Sequence, residues 1–406
     1  MDFEDTTEEA SYRATVRSWI AANIEGIQPE DFSSRAESIA AAKAWQKKKF
    51  EAGYVGITWP KAVGGQGGTA MQQIIFNQEE AKFSAPTGPY AIGLGMCIPT
   101  VFTHGQTQEI FARYVPKAMQ GVEIWCQLFS EPAAGSDLAG IRTRAERDGD
   151  DWVINGQKVW TSGAHYSDFG IVVTRTDPRV PKHKGLTMFI VDMKAPGVEV
   201  RPIKQMSGGS EFNEVFFTDV RVKDTHRLGE VGEGWKVSLT TLMHERVAVG
   251  GKAAGTPGVQ EMIELAKAID LEEGNALEQS HVRQQIAAAY INDQGIALTR
   301  MRTISALSSG RTPGPESSIS KVVVANTMQD MGAFAADLCE GAGLMGDTDL
   351  PNLARFQSSY IGAAGLRIAG GTDEILRNII AERVLGLPSD IRPDKDIPFS
   401  EALKLG

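Results

Sequence analysis

The sequence predicts an α+β protein in three parts: a helical domain over residues 1–122, a central antiparallel β domain over 123–232 and a second helical domain over 233–406. Two observations predict it. Apolar residues recur three and four apart near the start and good helix formers dominate the end, while the middle carries short runs of β-branched and aromatic residues bounded by turn signals. A chain of 406 residues is also too long for one ordinary core, so a division is expected.

Near the start, Tyr12, Val16, Trp19 and Ile20 fall on one helix face. The stretch Gly53-Tyr54-Val55-Gly56-Ile57-Thr58-Trp59-Pro60 breaks that spacing, and Gly64-Gly65-Gln66-Gly67-Gly68 reads as a flexible loop before the helical pattern resumes at Met71. In the middle, Trp152-Val153-Ile154 and Lys158-Val159-Trp160 flank Asn155-Gly156, a dipeptide that favours a two-residue hairpin turn. Ile171–Thr174, Leu186–Val191 and Val215–Phe217 read as further strands, and the charged segment Asp177–Lys184 as a solvated loop. From Glu233 to Leu387 good helix formers dominate. Gly310–Ser317, with Pro313 and Pro315, reads as an interhelical loop, and the segment from Pro388 as a loosely docked tail.

Composition excludes several function classes. The net charge of -10 argues against a general nucleic-acid binder, which needs clustered Lys and Arg to neutralise phosphates. No run of about 18 apolar residues predicts a membrane span. The acidic start, Met1-Asp2-Phe3-Glu4-Asp5, lacks the basic and apolar regions of a signal peptide. Cys97, Cys126 and Cys339 are odd in number and scattered, so neither a disulfide frame nor a metal site is expected, and a reducing cytoplasm fits best.

The stretch from Gln127 to Ser162 concentrates the chemistry. Gln127-Leu128-Phe129-Ser130-Glu131-Pro132-Ala133-Ala134-Gly135-Ser136-Asp137 brings small residues, hydroxyls and backbone amides into one loop, and Trp160-Thr161-Ser162 follows. Small residues let backbone donors approach an anion or a ring edge, and an indole can stack on an aromatic face. These residues suit a large aromatic ligand carrying phosphate.

Ser130-Glu131-Pro132-x-x-Gly135-Ser136-Asp137, followed by Asn155-Gly156-Gln157-Lys158-x-Trp160-Thr161-Ser162, resembles the flavin-binding signature of the acyl-CoA dehydrogenase family, and the similarity extends along nearly the whole chain. The resemblance implies that family's fold and bound FAD. It also implies that Gln127, Phe129 and Ser130 contact the flavin ring edge, and that Gly135 and Ser136 serve its pyrophosphate or the thioester ligand. Trp160 would cover the isoalloxazine, with Thr161 and Ser162 donating near its reactive nitrogen; Ser162 stands where threonine is frequent. Gly370-Gly371-Thr372-Asp373-Glu374-Ile375-Leu376-Arg377-Asn378, through Arg383-Val384-Leu385-Gly386, is similar to a second family segment and implies that Thr372 and Glu374 lie near the flavin. Thr372 has the chemistry of a helix N-cap. Gly341-Ala342-Gly343-Leu344-Met345-Gly346 matches Gly-x-Gly-x-x-Gly, yet it follows the helical run Asp330–Glu340 instead of a strand, so a nicotinamide site is not expected.

Removing hydrogens from the α and β carbons of an acyl-CoA thioester requires a base for the α-proton, and a desolvated carboxylate suits it. Many family members carry a glutamate just before the Gly-Thr pair, where this chain has Gly370. In isovaleryl- and long-chain-type enzymes the glutamate lies on an early helix of the C-terminal domain, before an arginine. Met243-His244-Glu245-Arg246-Val247 supplies that pair. The resemblance therefore assigns Glu245 as base, Arg246 as the neighbour that orders the substrate site, and the Gly370 amide as a donor to the thioester carbonyl. A surface charge pair at Glu245 and Arg246 is the competing reading, and His244 has no assigned role.

The family's Arg-x-x-Phe-Gly sequence, which reaches the flavin of an adjacent subunit, has no clear counterpart at Arg283-Gln284-Gln285-Ile286. Asp337 and Glu340 stand where glutamine and glycine are usual. This pattern is similar to bacterial members that work as heteromers. The implied product is the 2,3-enoyl-CoA, the implied electron acceptor an electron-transfer flavoprotein, and the implied assembly a homo- or hetero-oligomer, dimer or tetramer. Two other readings stay open: a flavin oxidase or monooxygenase on the same fold, and a non-catalytic partner subunit of a heteromeric enzyme.

Overall fold

In the computed structural model, residues 5–27, 34–249, 256–308, 314–346 and 349–402 are described, apart from the side chains of 245–249, 304, 307, 308 and 317. The chain forms two compact units. One comprises Asp5–Ala248 with the tail from Asp390 on, and the other Val249–Ser389.

The first unit begins with α1 (Thr7–Asn23), α2 (Arg35–Glu51) and α3 (Ala70–Glu80). Thr6 and Glu9 cap α1 reciprocally, each side chain taking the other's backbone N–H. The predicted apolar face buries Val16 and Ile20 against Trp45 and Phe76. The glycine-rich segment is a knitted turn, not the flexible loop its composition suggests. Gly65, Gln66, Gly67 and Gly68 each donate to a carbonyl between Gly56 and Pro60, and a Cβ on Gly65 would lie 2.3 Å from the Trp59 carbonyl oxygen.

Glu79, whose side chain is fully buried, receives Arg13, Arg17 and Lys82 at 2.8–3.1 Å. The hydrogen bond from Arg17 leads in lowering its pKa from the ordinary 4.5 to about 2. The carboxylate therefore stabilises the fold fully above about pH 4.5, and that contribution disappears as pH falls toward 2. Arg17 and Lys82 are half in water, so Glu79→Gln is expected to cost only about 1–2 kcal/mol at pH 7. Denaturant melts at pH 7 and pH 3 check this: the gap between wild type and variant must narrow in acid.

After α4 (Gly88–Ile92), α5 (Ile98–His104) and α6 (Gln108–Met119) comes the sheet. Its strands are β1 (Trp125–Leu128), β2 (Arg144–Asp148), β3 (Asp151–Lys158), β4 (Phe169–Arg175), β5 (Leu186–Asp192), β6 (Val198–Pro202), β7 (Asn213–Lys223) and β8 (Arg227–Leu228). The order is β6-β7-β3-β2-β4-β5-β8, with β1 beside β4. Most pairings are antiparallel, while β1 and β2 meet β4 in parallel. Alternation along β4 and β5 divides two cores. Ile171, Val173, Met188 and Ile190 pack with Val101 and Val115 of α5 and α6, whereas Val172, Phe189 and Val191 join Trp152, Ile154 and Val215. Helix α7 (Gly234–Val249) adds Val237 to the first of these cores.

The hairpin expected at Asn155-Gly156 lies elsewhere. β2 and β3 turn at Gly149-Asp150, closing the Asp148–Asp151 pair with Gly149 at φ +64°. Asn155 and Gly156 run straight through β3 at a register shift against β7. There the Asn155 amide takes the Asp219 N–H and donates to the Asp219 carboxylate, both at 3.0 Å. A Cβ on Gly156 would come within 2.7 Å of Thr143 Cα, so close strand approach, not a turn, explains the glycine.

The tail is also better anchored than its composition suggests. Phe399 is buried beneath the Arg175 guanidinium at 3.7 Å, and its N–H donates to the Val180 carbonyl. Lys182 bridges Asp394 of the tail and Asp137 of the central loop.

The second unit contains α8 (Val259–Lys267), α9 (Ser280–Ser308), α10 (Ser317–Leu338), α11 (Leu353–Ile368) and α12 (Asp373–Ile379) around Met262, Leu265, Val282, Met331 and Phe356. The loop before α10 lies partly outside the described residues. The Gly-x-Gly-x-x-Gly pattern is a helical turn, Glu340–Leu344, directly after α10, with no strand before it. Gly343 serves packing there, since a Cβ would strike the Ala336 carbonyl oxygen at 2.1 Å.

Candidate active site

A buried ion pair fixes the central loop. Lys158, at the end of β3, is wholly buried and donates to the Phe129 carbonyl at 2.9 Å and to Glu131 Oε1 at 2.8 Å. The Arg142 and Thr143 N–H groups complete the carboxylate's partners at 2.6 and 2.9 Å. Burial alone would raise the Glu131 pKa, but the Lys158 charge and these donors carry it below the usual range. Burial pushes Lys158 down. Glu131 and Ala134 exchange backbone hydrogen bonds, which folds Pro132 and Ala133 outward and leads Gly135 and Ser136 into solvent.

The second segment lies beside the first. Val159 N–H donates to the Ser130 carbonyl at 2.9 Å. Trp160 then adopts φ +60°, the left-handed region that bulky residues avoid, and its indole is 58% exposed with Phe212 edge-on at 6.0 Å. Thr161 turns inward, and its Oγ1 is buried with no hydrogen-bond partner among the described residues.

The structure thus brings Phe129, Ser130, Trp160, Thr161 and Ser162 together, with Gln127 in β1 on the approach to the loop. Among the described residues, the side chains of Gln127, Ser130, Ser136 and Ser162 and the N–H groups of Gly135 and Ser136 bond to no other part of the chain. A side chain added at Gly135 would meet nothing within 4 Å. Unspent donors, an open backbone and an exposed indole fit an aromatic ring bearing phosphates.

Gly370, Thr372 and Glu374 belong to the second unit. Gly370 and Gly371 lie at φ +64° and +93°, and Thr372 caps α12 by accepting the Ile375 N–H at 3.2 Å, as its sequence predicts. Buried Lys321 donates to the carbonyls of Arg367 (3.2 Å) and Gly371 (2.7 Å), on either side of Gly370. Asp373, buried beside them, accepts from Arg367 Nε at 2.8 Å and Asn326 at 3.3 Å. Glu374 is exposed in the first turn, where backbone N–H donation holds its pKa below the ordinary value. Glu245 and Arg246 lie in the last turns of α7, and their side chains fall outside the described residues. His244 is half-buried, which lowers its pKa.

Sequence reasoning assigned no role to Lys158, Glu131, Asn213, Lys321 or Asp373. A signal existed for Lys158: it shares the inward parity of Trp152 and Ile154, where a lysine needs a buried partner. Asn213 gave none, since it meets Thr161 across 52 residues.

Three family models match the chain: acyl-CoA dehydrogenase N-terminal domain over residues 6–122, middle domain over 126–220 and C-terminal domain over 232–385. Acyl-CoA dehydrogenase FadE34 of Mycobacterium tuberculosis is 38% identical over 90% of this chain, which spans 49% of that protein's length. Acyl-CoA dehydrogenase IpdE1 of Mycobacterium tuberculosis is 34% identical, covering 94% of this chain and 98% of its own. Among solved structures, the ChsE4-ChsE5 complex from Mycobacterium tuberculosis is similar with TM-score 0.81 and 29% identity over 96% of this chain and 100% of that one. The Tcur3481-Tcur3483 steroid ACAD gives TM-score 0.79 and 27% identity over the same shares.

Proposed function

We propose, because this chain belongs to the acyl-CoA dehydrogenase family, that it takes two hydrogens from the α and β carbons of an acyl-CoA thioester with FAD as cofactor. The observation that carries the reading is the exposed Trp160 indole beside the unspent donors of the Ser130 loop. FAD supplies the hydride acceptor when bound. Trp160 would cover its ring, Gln127, Phe129, Ser130, Thr161 and Ser162 would meet the ring edge, and Gly135 and Ser136 would take the pyrophosphate or the thioester. Thr372 and Glu374 are further candidates for contact with the flavin, on the likeness of their segment to the family's. Glu245 takes the α-proton, Arg246 orders the substrate, and the Gly370 N–H donates to the thioester oxygen as negative charge develops there. The product is a 2,3-enoyl-CoA, and an electron-transfer flavoprotein takes the electrons.

The absent side chain at Gly370 leaves space beside the substrate, and the likeness to a steroid ACAD supports a bulky, ring-bearing acyl group. The departures at Ile286, Asp337 and Glu340, with the likeness to the ChsE4-ChsE5 complex, support an oligomer in which a second kind of chain completes the flavin site. Among the described residues no helix is long and apolar enough to cross a membrane, and the three free, buried cysteines accord with a cytoplasmic location.

Anaerobic mixing with a panel of acyl-CoA esters, straight, branched and steroid-derived, tests the reading. At least one ester should bleach the flavin, with slow reoxidation in air; fast reoxidation would make the protein an oxidase. An FAD content far below one per chain, restored by co-expression with a partner, would establish the heteromer.

A further inference from the structure

Trp160 is the one residue left between two fixed points. On its N-terminal side Lys158 is wholly buried and grips the Phe129 carbonyl and Glu131, and the Val159 N–H is spent on Ser130. On its C-terminal side Thr161 is held through both faces of its backbone. Its N–H donates to the Asn213 carbonyl at 3.0 Å, and its carbonyl accepts from Asn213 Nδ2 at 2.8 Å. Asn213 is itself wholly buried, its amide nitrogen also donates to the Glu211 carbonyl at 3.0 Å, and its Oδ1 lies 3.0 Å from His165 Nδ1. Between the pinned residues 159 and 161 the backbone passes through the left-handed region at Trp160, and the indole stands out in solvent. A strained aromatic residue displayed in this way persists only when its surroundings over-determine it.

We propose that Lys158 and Asn213 are positioning residues that hold the Trp160–Ser162 turn against the Ser130 loop, so that the indole and the ring-edge donors stand in binding geometry before a flavin arrives. This rests on the reading that a flavin lies against Trp160. A site ordered in advance loses less conformational freedom on binding, so releasing either grip weakens the cofactor.

The test uses the full chain in two variants. Lys158→Met with Glu131→Leu replaces the buried pair by apolar groups of similar volume, which leaves no stranded charge but takes their side-chain partner from the Arg142 and Thr143 N–H groups and the Phe129 carbonyl. Asn213→Asp keeps the shape while removing the donor to Thr161. Amide exchange is followed by mass spectrometry over residues 129–137 and 159–163 without cofactor, then FAD is titrated and the fluorescence of bound FAD is read at saturation. In each variant both peptides are expected to exchange about tenfold faster, the FAD Kd to rise about tenfold, and bound FAD to fluoresce more as the indole leaves its face. Should the double variant fail to fold, Asn213→Asp carries the test. Unchanged exchange and unchanged fluorescence in a variant that binds FAD would overturn the positioning role. Faster exchange in the variants, with FAD binding to no form including wild type, would overturn the cofactor reading instead.

Discussion

Glu245→Gln is expected to slow flavin reduction by acyl-CoA about 1000-fold while leaving FAD content and melting temperature near those of the wild type. Glutamine keeps the volume and one hydrogen-bonding oxygen but cannot accept the α-proton, which is too weakly acidic to leave without a base. Anaerobic stopped-flow measurement of flavin bleaching reads the effect directly. Reduction at close to the wild-type rate would remove Glu245 from the chemistry and return the search for the base to the turn at Gly370.

The order of helices, strands and helices was legible because it depends on local repeats. Val16 and Ile20 are buried as their spacing predicts, and Ile171–Thr174 and Leu186–Val191 lie within β4 and β5. Thr372 is the N-cap its chemistry suggests. What sequence misplaced was decided at long range. Asn155-Gly156 has the local chemistry of a turn, yet Asp219, 64 residues on, claims the asparagine side chain and makes the pair a strand irregularity. Gly65 to Gly68 read as flexible until Gly56 to Pro60 offers them carbonyls. A polar tail reads as loose until Phe399 finds Arg175. The candidate site divides in the same way. The candidate ligand-binding residues sit in compact motifs, whereas Asn213 and Lys321, which hydrogen-bond to the backbone of those motifs, come from distant parts of the chain and carry no local mark.

Lys321→Met is expected to cost the Val249–Ser389 unit about 3 kcal/mol and to reduce turnover further than that loss alone would. The ammonium donates to the carbonyls of Arg367 and Gly371 and lies 3.7 Å from Asp373 Oδ1, which has no hydrogen-bond partner among the described residues. Removing it leaves the Asp373 carboxylate, 2% exposed, with Arg367 as its one ion-pair partner among the described residues, and frees the turn that carries the Gly370 N–H. Adding Asp373→Leu removes the stranded charge, so the double variant should recover most of the stability. It should not recover turnover, because nothing then spans the two carbonyls on either side of Gly370. Urea melts and kcat with one acyl-CoA ester, measured on wild type and both variants, separate the two effects. If turnover returns together with stability, the lysine serves only the fold of the unit, and the Gly370 amide keeps its orientation without it.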